Sequence, residues 1–536
     1  MPHTEKNKLN PMAEAVRKAY RAGQEDEQLE PHVRVDSSGK PIGMVKDGDY
    51  VIFYDIRGER EVQITRSFTE TGFDIFPVPE MNVHFVTMIE YDPSLDTRVA
   101  FPPQGAVEGT LSEVVSKAGM KQVKICESEK AVHVCFFLNG KRHDTFKNEK
   151  RVVIESPRDV PTFDLKPEMS ADQVVEVTLS EIRDKNNDLI IVNFANVDVV
   201  GHTEDREPIL KAVSVVDNSI GRTVEEALKE EMIVLVTADH GTVEKWYYPD
   251  GTIDTGHTDS PVPFIVISNY LEDKDFTIPQ GKGLIDVAPT VLEILGLEYP
   301  AGMVSKSLIN KEALYKLTGG RKRNRVLLII ADGWGYNKNS KGNLIAEADT
   351  PVMDRLLGKY PSTTLIAAGE AVGLPVGTVG NSEAGHMHMG AGRVIYSDRM
   401  RINRSLEDGT FYKNKAFLEA IHGAERDGTR LHLYGIVSFY SSHGSVEHLE
   451  ALIDLVSQEN VPELYIHSLL GRRGERPESG ALYIDRVERK CNEVGLGKLV
   501  TVTGRYWALD REQNWDRVEK AYRAMVYGDG TPVLDE

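Results

Sequence analysis

The sequence predicts an α/β protein of two domains, and three observations predict it. Short apolar runs rich in β-branched residues recur, at Asp188–Asn193, Met232–Thr237 and Arg325–Ile330. Such runs fit strands buried on both faces of a parallel sheet. Stretches with helical periodicity, Glu207–Lys229 and Asp286–Leu295, lie between them and would cover that sheet. Finally, 536 residues are too many for one hydrophobic core.

Along the chain, Pro11–Arg21 reads as a helix and Gln24–Glu30 as a charged, exposed stretch. A strand follows at Gly48–Phe53. Asn310–Asn324 is short, polar and basic; it fits a connector between two structured halves and also a simple surface loop. No fixed-period repeat or low-complexity tract occurs. The longest apolar runs, such as Val326–Ala331 and Met232–Val236, are far shorter than a membrane span. Met1–Lys6 lacks the apolar core of a secretory signal.

Hydrophobic residues make up 40% and charged residues 27%, as in soluble globular proteins. The 3 cysteines, Cys126, Cys135 and Cys491, have no metal-type spacing. The expectation is a reducing cytoplasm and no zinc–thiolate site. A net charge of −20 argues against non-specific binding to nucleic acid or anionic membranes. It leaves room for a small anionic substrate held by local arginines.

The chemistry-bearing residues gather at expected strand ends, where ligands of α/β sheets bind. Asp198 and His202 are four apart after one strand; on a helical turn they share a face and can grip one ion. Asp239 and His240 follow the next strand, in Thr237-Ala238-Asp239-His240-Gly241. His257 lies in a glycine-bearing loop, and Asp332 sits at the tip of a third strand, in Asp332-Gly333-Trp334-Gly335. Mixed carboxylate and imidazole donors without thiolates suit manganese or catalytic zinc. Gly380-Asn381-Ser382-Glu383-Ala384-Gly385-His386 is the nucleophile loop this set needs. Small neighbours leave space for a tetrahedral phosphorus, and a helix opening there would favour an anion. A serine hydroxyl needs activation, which a metal ion can provide. Taken alone, the segment also fits a surface turn.

Together these motifs resemble the metal and nucleophile motifs of the cofactor-independent phosphoglycerate mutases, in the alkaline phosphatase superfamily. The likeness extends to Thr350–Asp354, Gly390–Arg393, Arg401–Asn403, Gly504–Tyr506 and Trp515–Tyr522. The order is unusual. In the family the Asp-Gly-Trp-Gly strand opens the protein, whereas here it follows the part resembling the family's C-terminal end. The resemblance therefore implies a circularly permuted chain joined through Asn310–Asn324. It implies an alkaline-phosphatase-like parallel-sheet domain over 105–396 and a smaller α/β transferase-like domain over 1–104 plus 397–536. Movement between them is expected at crossovers near Phe101–Gln104 and Gly390–Arg393.

The resemblance also implies roles. Asp198, His202 and His257 would hold one manganese, and Asp332, Ser382, Asp239 and His240 a second. Ser382 would accept the phosphoryl group as a phosphoserine, and Lys130 would stabilise it in transit. Arg57, Arg60, Arg505 and Arg511, with His443 and Arg473, would bind substrate phosphate and carboxylate; the arginine fork suits both groups. Two loops depart from the family. Ser438–Ser445 stands for its Ser-Asp-Gly-Gly-Val-His-Ser-His, and Gly471–Pro477 for its Asp-Gly-Arg-Asp-Thr-Pro-Pro. Both acids of the second loop are gone, and with them a base beside the glycerate hydroxyls.

The function implied is interconversion of 3- and 2-phosphoglycerate. A relative moving a phosphonyl group, such as phosphonoformyl from a nucleotide-activated donor, onto a phosphoglycerate hydroxyl is the first alternative. A phosphatase or phosphodiesterase is the second, and a metal-binding scaffold without turnover the third.

Overall fold

The computed structural model describes residues 10–271, 274–438, 441–459, 461–471 and 478–535. The chain divides into two compact units, Gln104–Met400 and Met1–Pro103 with Arg401–Glu536. Each is a sheet of 8 strands with helices packed on it.

In the unit Gln104–Met400 the strand order is Lys282–Gly283, Ser362–Ile366, Val262–Ile267, Ile233–Thr237, Val326–Ala331, Leu189–Phe194, Gln122–Glu127, Glu149–Ile154. Val326–Ala331 is central, parallel to Ile233–Thr237 on one side and Leu189–Phe194 on the other. All three strands are buried throughout. That is why they read as unbroken apolar runs: helices on both faces leave no side for a polar residue. Each fully buried Leu or Ile contributes about 1.5–3 kcal/mol relative to exposure. The sheet is mixed rather than wholly parallel, because Val262–Ile267 runs antiparallel to both Ile233–Thr237 and Ser362–Ile366.

The helices carry their own start and stop signals. In Arg206–Lys229 the Asp205 side chain accepts from Glu207 N, and the apolar stripe Ile209, Ala212, Val213, Val216, Ile220, Val224 faces the core. Val287–Leu295 stops at Gly296, in the left-handed conformation. The expected connector is not loop alone: Lys311–Thr318 is a helix within it. Asn310 caps it by accepting from Ala313 N, and left-handed Gly319 ends it.

The second unit orders its strands Thr531–Leu534, His32–Val35, Lys498–Gly504, Leu464–Leu470, Leu431–Ile436, Tyr50–Phe53, His84–Ile89, Arg98–Phe101. Only the His32–Val35 and Lys498–Gly504 pair is antiparallel. Both ends of the chain thus feed one sheet. Pro11–Arg21 is a helix whose Met12, Ala13 and Val16 are buried. The charged stretch after it is not uniformly exposed, because Leu29 is fully buried. The second crossover differs from expectation. It falls between Met400 and Arg401, inside the helix Asp398–Glu407. Gly390 instead lies in the helix Ser382–Ala391, where an added Cβ would sit 1.9 Å from Leu138 O. Among the described residues no helix is long and apolar enough to cross a membrane.

Candidate metal and nucleophile centre

Four neighbouring parallel strands of the unit Gln104–Met400 deliver the site from their carboxyl ends. Gln122–Glu127 leads to Lys130, Leu189–Phe194 to Asp198, Ile233–Thr237 to Asp239 and His240, and Val326–Ala331 to Asp332. Asn196–Gly201 turns helically, so Asp198 and the capping His202 come to one face. Ser382 opens the helix Ser382–Ala391, capped by Asn381, whose Oδ1 accepts from Ala384 N at 2.8 Å.

The side chains converge on two groups of donors. Asp198, His240 and His257 form one and Asp239, His240 and Asp332 the other. In the first, Asp198 Oδ1 lies 3.2 Å from His257 Nε2 and 3.4 Å from His202 Nε2. In the second, Asp239 Oδ2 lies 3.4 Å and Asp332 Oδ1 3.8 Å from His240 Nε2. Ser382 Oγ sits against the second group, 2.9 Å from His240 Nε2 and 3.3 Å from Asp332 Oδ1. Lys130 Nζ reaches Asp198 Oδ2 at 2.6 Å, Asp332 Oδ1 at 2.5 Å and Ser382 Oγ at 2.8 Å.

The imidazole orientations show that this arrangement fits divalent ions. His202 Nδ1 lies 2.7 Å from Thr255 O, His257 Nδ1 3.0 Å from Gly380 O and His240 Nδ1 3.1 Å from Gly241 O. A carbonyl only accepts, so each Nδ1 carries a proton and each Nε2 is the nitrogen that can give a lone pair to an ion. His202 and His257 turn these Nε2 atoms toward each other across 3.1 Å, beside the Asp198 carboxylate. Lone pairs brought together like this repel unless a cation lies among them. Asp239 Oδ2 is fully buried and, among the described residues, meets only imidazole nitrogens, His386 Nδ1 at 3.3 Å and His240 Nε2 at 3.4 Å.

The charges follow the same logic. Burial opposes ionisation of Asp198, but Lys130 and His240 outweigh it and hold the carboxyl well below its usual range. Burial likewise opposes the charged Asp239, and His240, His386 and Lys130 pull it down. Asp332 moves the other way, raised by burial and by the neighbouring Asp239. For Lys130 burial disfavours the ammonium, yet Asp332, Asp198 and Asp239 keep it charged far above neutrality.

Two glycines permit this crowding. Gly333 has φ +79°, and an added Cβ would meet Asp198 Cα at 2.8 Å. At Gly385 a Cβ would sit 2.5 Å from Asp239 O. Gly385→Ala is expected to destabilise by about 1–3 kcal/mol through overpacking and to lower metal affinity by displacing Asp239. Urea unfolding and metal titration read the two effects; a variant matching the parent in both would show that the helix has slack there.

The eight residues expected at the centre, Lys130, Asp198, His202, Asp239, His240, His257, Asp332 and Ser382, thus lie together. Two supporting residues had no assigned role in the sequence reading. His386 is buried with Nδ1 2.9 Å from Ser382 O and 3.3 Å from Asp239 Oδ2. Asn193 Nδ2 donates to Asp332 Oδ2 at 2.8 Å. His386 recurs four residues after Ser382, a spacing that signals one helix face; Asn193 gave no such signal.

The substrate-binding expectations fall in the other unit. Arg511 Nη1 pairs with Glu59 Oε2 at 2.7 Å, and Arg57 Nη2 approaches the same oxygen at 3.4 Å. Arg60 Nη1 donates to Leu509 O at 3.2 Å, and Arg505 Nε lies 3.7 Å from Glu27 Oε1. His443 Nδ1 lies 2.5 Å from Glu61 Oε1. Arg473 lies outside the described residues.

Comparison with known proteins places the chain in a class. The pattern of the Metalloenzyme superfamily matches residues 3–299. The chain belongs to that superfamily. A second pattern, described as the BPG-independent PGAM N-terminus (iPGM_N), matches residues 402–535. Among individual proteins, the chain is similar to the 2,3-bisphosphoglycerate-independent phosphoglycerate mutase of Listeria innocua. The two are 41% identical over 310 residues, 57% of this chain and 59% of the relative. It is 45% identical to that of Clostridium acetobutylicum over 296 residues, 55% of this chain and 57% of the relative. The chain therefore spans under two thirds of the length of these relatives. A crystal structure of Leishmania mexicana phosphoglycerate mutase aligns with 51% of the chain and 53% of its own, at 27% identity and a TM-score of 0.36.

Proposed function

We propose that this chain is a metal-dependent phosphoryl-transfer enzyme that interconverts 3- and 2-phosphoglycerate through Ser382. The observation that carries the proposal is the position of Ser382 Oγ, 2.8 Å from Lys130 Nζ and 2.9 Å from His240 Nε2, at the first turn of a helix. The relatives' names support the substrate.

Asp198, His202 and His257 would hold one ion, and Asp239, His240, Asp332 and Ser382 the other. Divalent ions bound there would supply Lewis acidity, favouring the serine alkoxide and balancing phosphoryl charge. Manganese fits the carboxylate and imidazole donors, and zinc fits the same set. Ser382 Oγ loses its proton and bonds to phosphorus as the bond from phosphorus to the glycerate oxygen breaks and that oxygen takes up a proton. The phosphoryl group then passes from the serine to the other glycerate hydroxyl, which gives up its proton, and Ser382 is restored. Lys130 remains an ammonium and follows the transferring oxygens with its three N–H donors. The amides opening Ser382–Ala391 face the same anion. In the other unit, Arg57, Arg60, Arg505 and Arg511, with His443 and Arg473, are the residues whose donors suit a carboxylate or phosphate.

The chain order is part of the proposal. A pattern described as an N-terminus matches residues 402–535 here, after the match over 3–299. That order supports circular permutation, with Asn310–Asn324 as the join.

Manganese-loaded protein incubated with 3-phosphoglycerate and followed by phosphorus NMR is expected to yield 2-phosphoglycerate. Folded, metal-loaded protein that converts none would overturn the reading.

A further inference from the structure

The unit Met1–Pro103 with Arg401–Glu536 holds a buried acid–imidazole pair that the centre at Ser382 does not use. Tyr50–Phe53 ends in the turn Tyr54–Glu61, which opens the helix Val62–Thr69. Glu61 is 0% exposed and His443 1%. Glu61 Oε1 lies 2.5 Å from His443 Nδ1, and Glu61 Oε2 accepts from Arg60 N at 3.0 Å. His443 is fixed through its main chain as well. Its N donates to Ser441 Oγ at 3.1 Å, and its carbonyl accepts from Ile56 N at 2.5 Å.

Stability gives no reason for this pair. Burying a carboxyl and an imidazole costs more than burying two apolar groups of like volume. A function in proton exchange does give one. The pair is flanked by Arg57, Arg60 and Arg505, the guanidinium groups that act on its charge. With Nδ1 bound to Glu61, Nε2 is the ring nitrogen left for exchange with a ligand.

We propose that Glu61 is the positioning residue that makes His443 the proton-exchanging group of this arginine cluster, acting on the hydroxyl of a phosphorylated hydroxy acid. The proposal rests on the phosphoglycerate reading, which supplies an anion with such a hydroxyl. In the exchange the ligand O–H breaks as Nε2–H forms, and Nδ1–H breaks as the Glu61 O–H forms. One proton passes from hydroxyl to Glu61, and the reverse returns it. The pair thereby supplies a base where Gly471 and Gly474 stand for the family's two acids.

The electrostatics agree with that direction. Burial pushes Glu61 up to about 8. Burial, then Arg505, Arg57 and Arg60, push His443 down to about 3. The proton therefore rests on the carboxyl and not as imidazolium, and the pair changes state near neutrality. Glu59 also acts on His443. Asp55 faces the pair too; burial and Glu61 keep it protonated well above the usual range. Tyr91 and Tyr434 feel Glu61 and are themselves raised by burial.

Nitrogen-15 NMR of the full chain labelled at histidine tests the pair without any turnover. His443 is assigned by the signal lost in His443→Gln. Nε2 is expected to pass from protonated to bare as pH rises through about 8, with the ring neutral on both sides and the step absent in Glu61→Gln. A wild-type Nε2 that stays protonated from about pH 6 to about pH 10 would overturn the proposal. In turnover, Glu61→Gln is expected to lower kcat for 3-phosphoglycerate by about 100-fold, with KM little changed and the acid limb of the pH profile removed. Unchanged kcat would overturn it as well. A tautomer step in a wild-type protein that makes no 2-phosphoglycerate would support the pair and overturn the phosphoglycerate reading instead.

Discussion

Ser382→Ala is expected to lower phosphoryl transfer by about 10⁴-fold or more, since it deletes the proposed nucleophile. The rest of the centre has independent support. Asp239 Oδ1 still accepts from Gly333 N at 3.1 Å, Asp332 Oδ2 from Asn193 Nδ2 at 2.8 Å, and His240 Nδ1 still faces Gly241 O at 3.1 Å. The main-chain oxygen of residue 382 keeps its contact with His386 Nδ1 at 2.9 Å. Alanine suits the first turn of a helix, so Ser382–Ala391 persists. The variant should therefore fold as the parent does, keep Asp198, His202 and His257 as ligands, and fail to take up phosphorus. Intact-mass measurement after mixing with 3-phosphoglycerate reads the phosphoserine directly, and metal analysis reads the sites. Turnover within tenfold of the parent would place the nucleophile elsewhere.

The site at Ser382 was legible because its chemistry is local in sequence. Asp198 and His202, Asp239 and His240, and Asp332 each sit within a few residues of an apolar run that could only be a buried strand. Parallel packing of those strands then forces their carboxyl ends together. The Lys311–Thr318 helix was also written in the sequence, with Asn310 before it and Gly319 after it, but a polar composition hid it. Glu61 could not be found that way. It differs from surface glutamates only through His443, 382 positions away, and no local pattern carries a contact of that range. The antiparallel strand Val262–Ile267 has the same apolar, fully buried character as its parallel neighbours, so composition alone gave it no direction.

Lys130→Met is expected to destabilise the metal-stripped protein by about 3–5 kcal/mol, and the metal-loaded protein far less. The lysine is nearly sealed from solvent, with 4% of its side chain exposed, and its ammonium ties Asp198 to Asp332. Asp239 adds a third carboxylate to the same field. Without ions, Lys130 is the one lysine or arginine paired with these acids among the described residues, so methionine leaves buried negative charge uncompensated. Divalent ions held by Asp198, Asp239 and Asp332 would supply positive charge in place of the lysine, which is why the two forms should diverge. Denaturant unfolding with and without chelator measures both. In the metal-loaded protein the same change should slow the proposed phosphoryl transfer by about 10²–10³-fold, because the donor proposed to follow the moving charge is gone. Equal destabilisation of both forms would mean that Lys130 works by packing its methylene stem. No destabilisation of either would mean that protonation of Asp332, already raised by burial, balances the charge without the lysine.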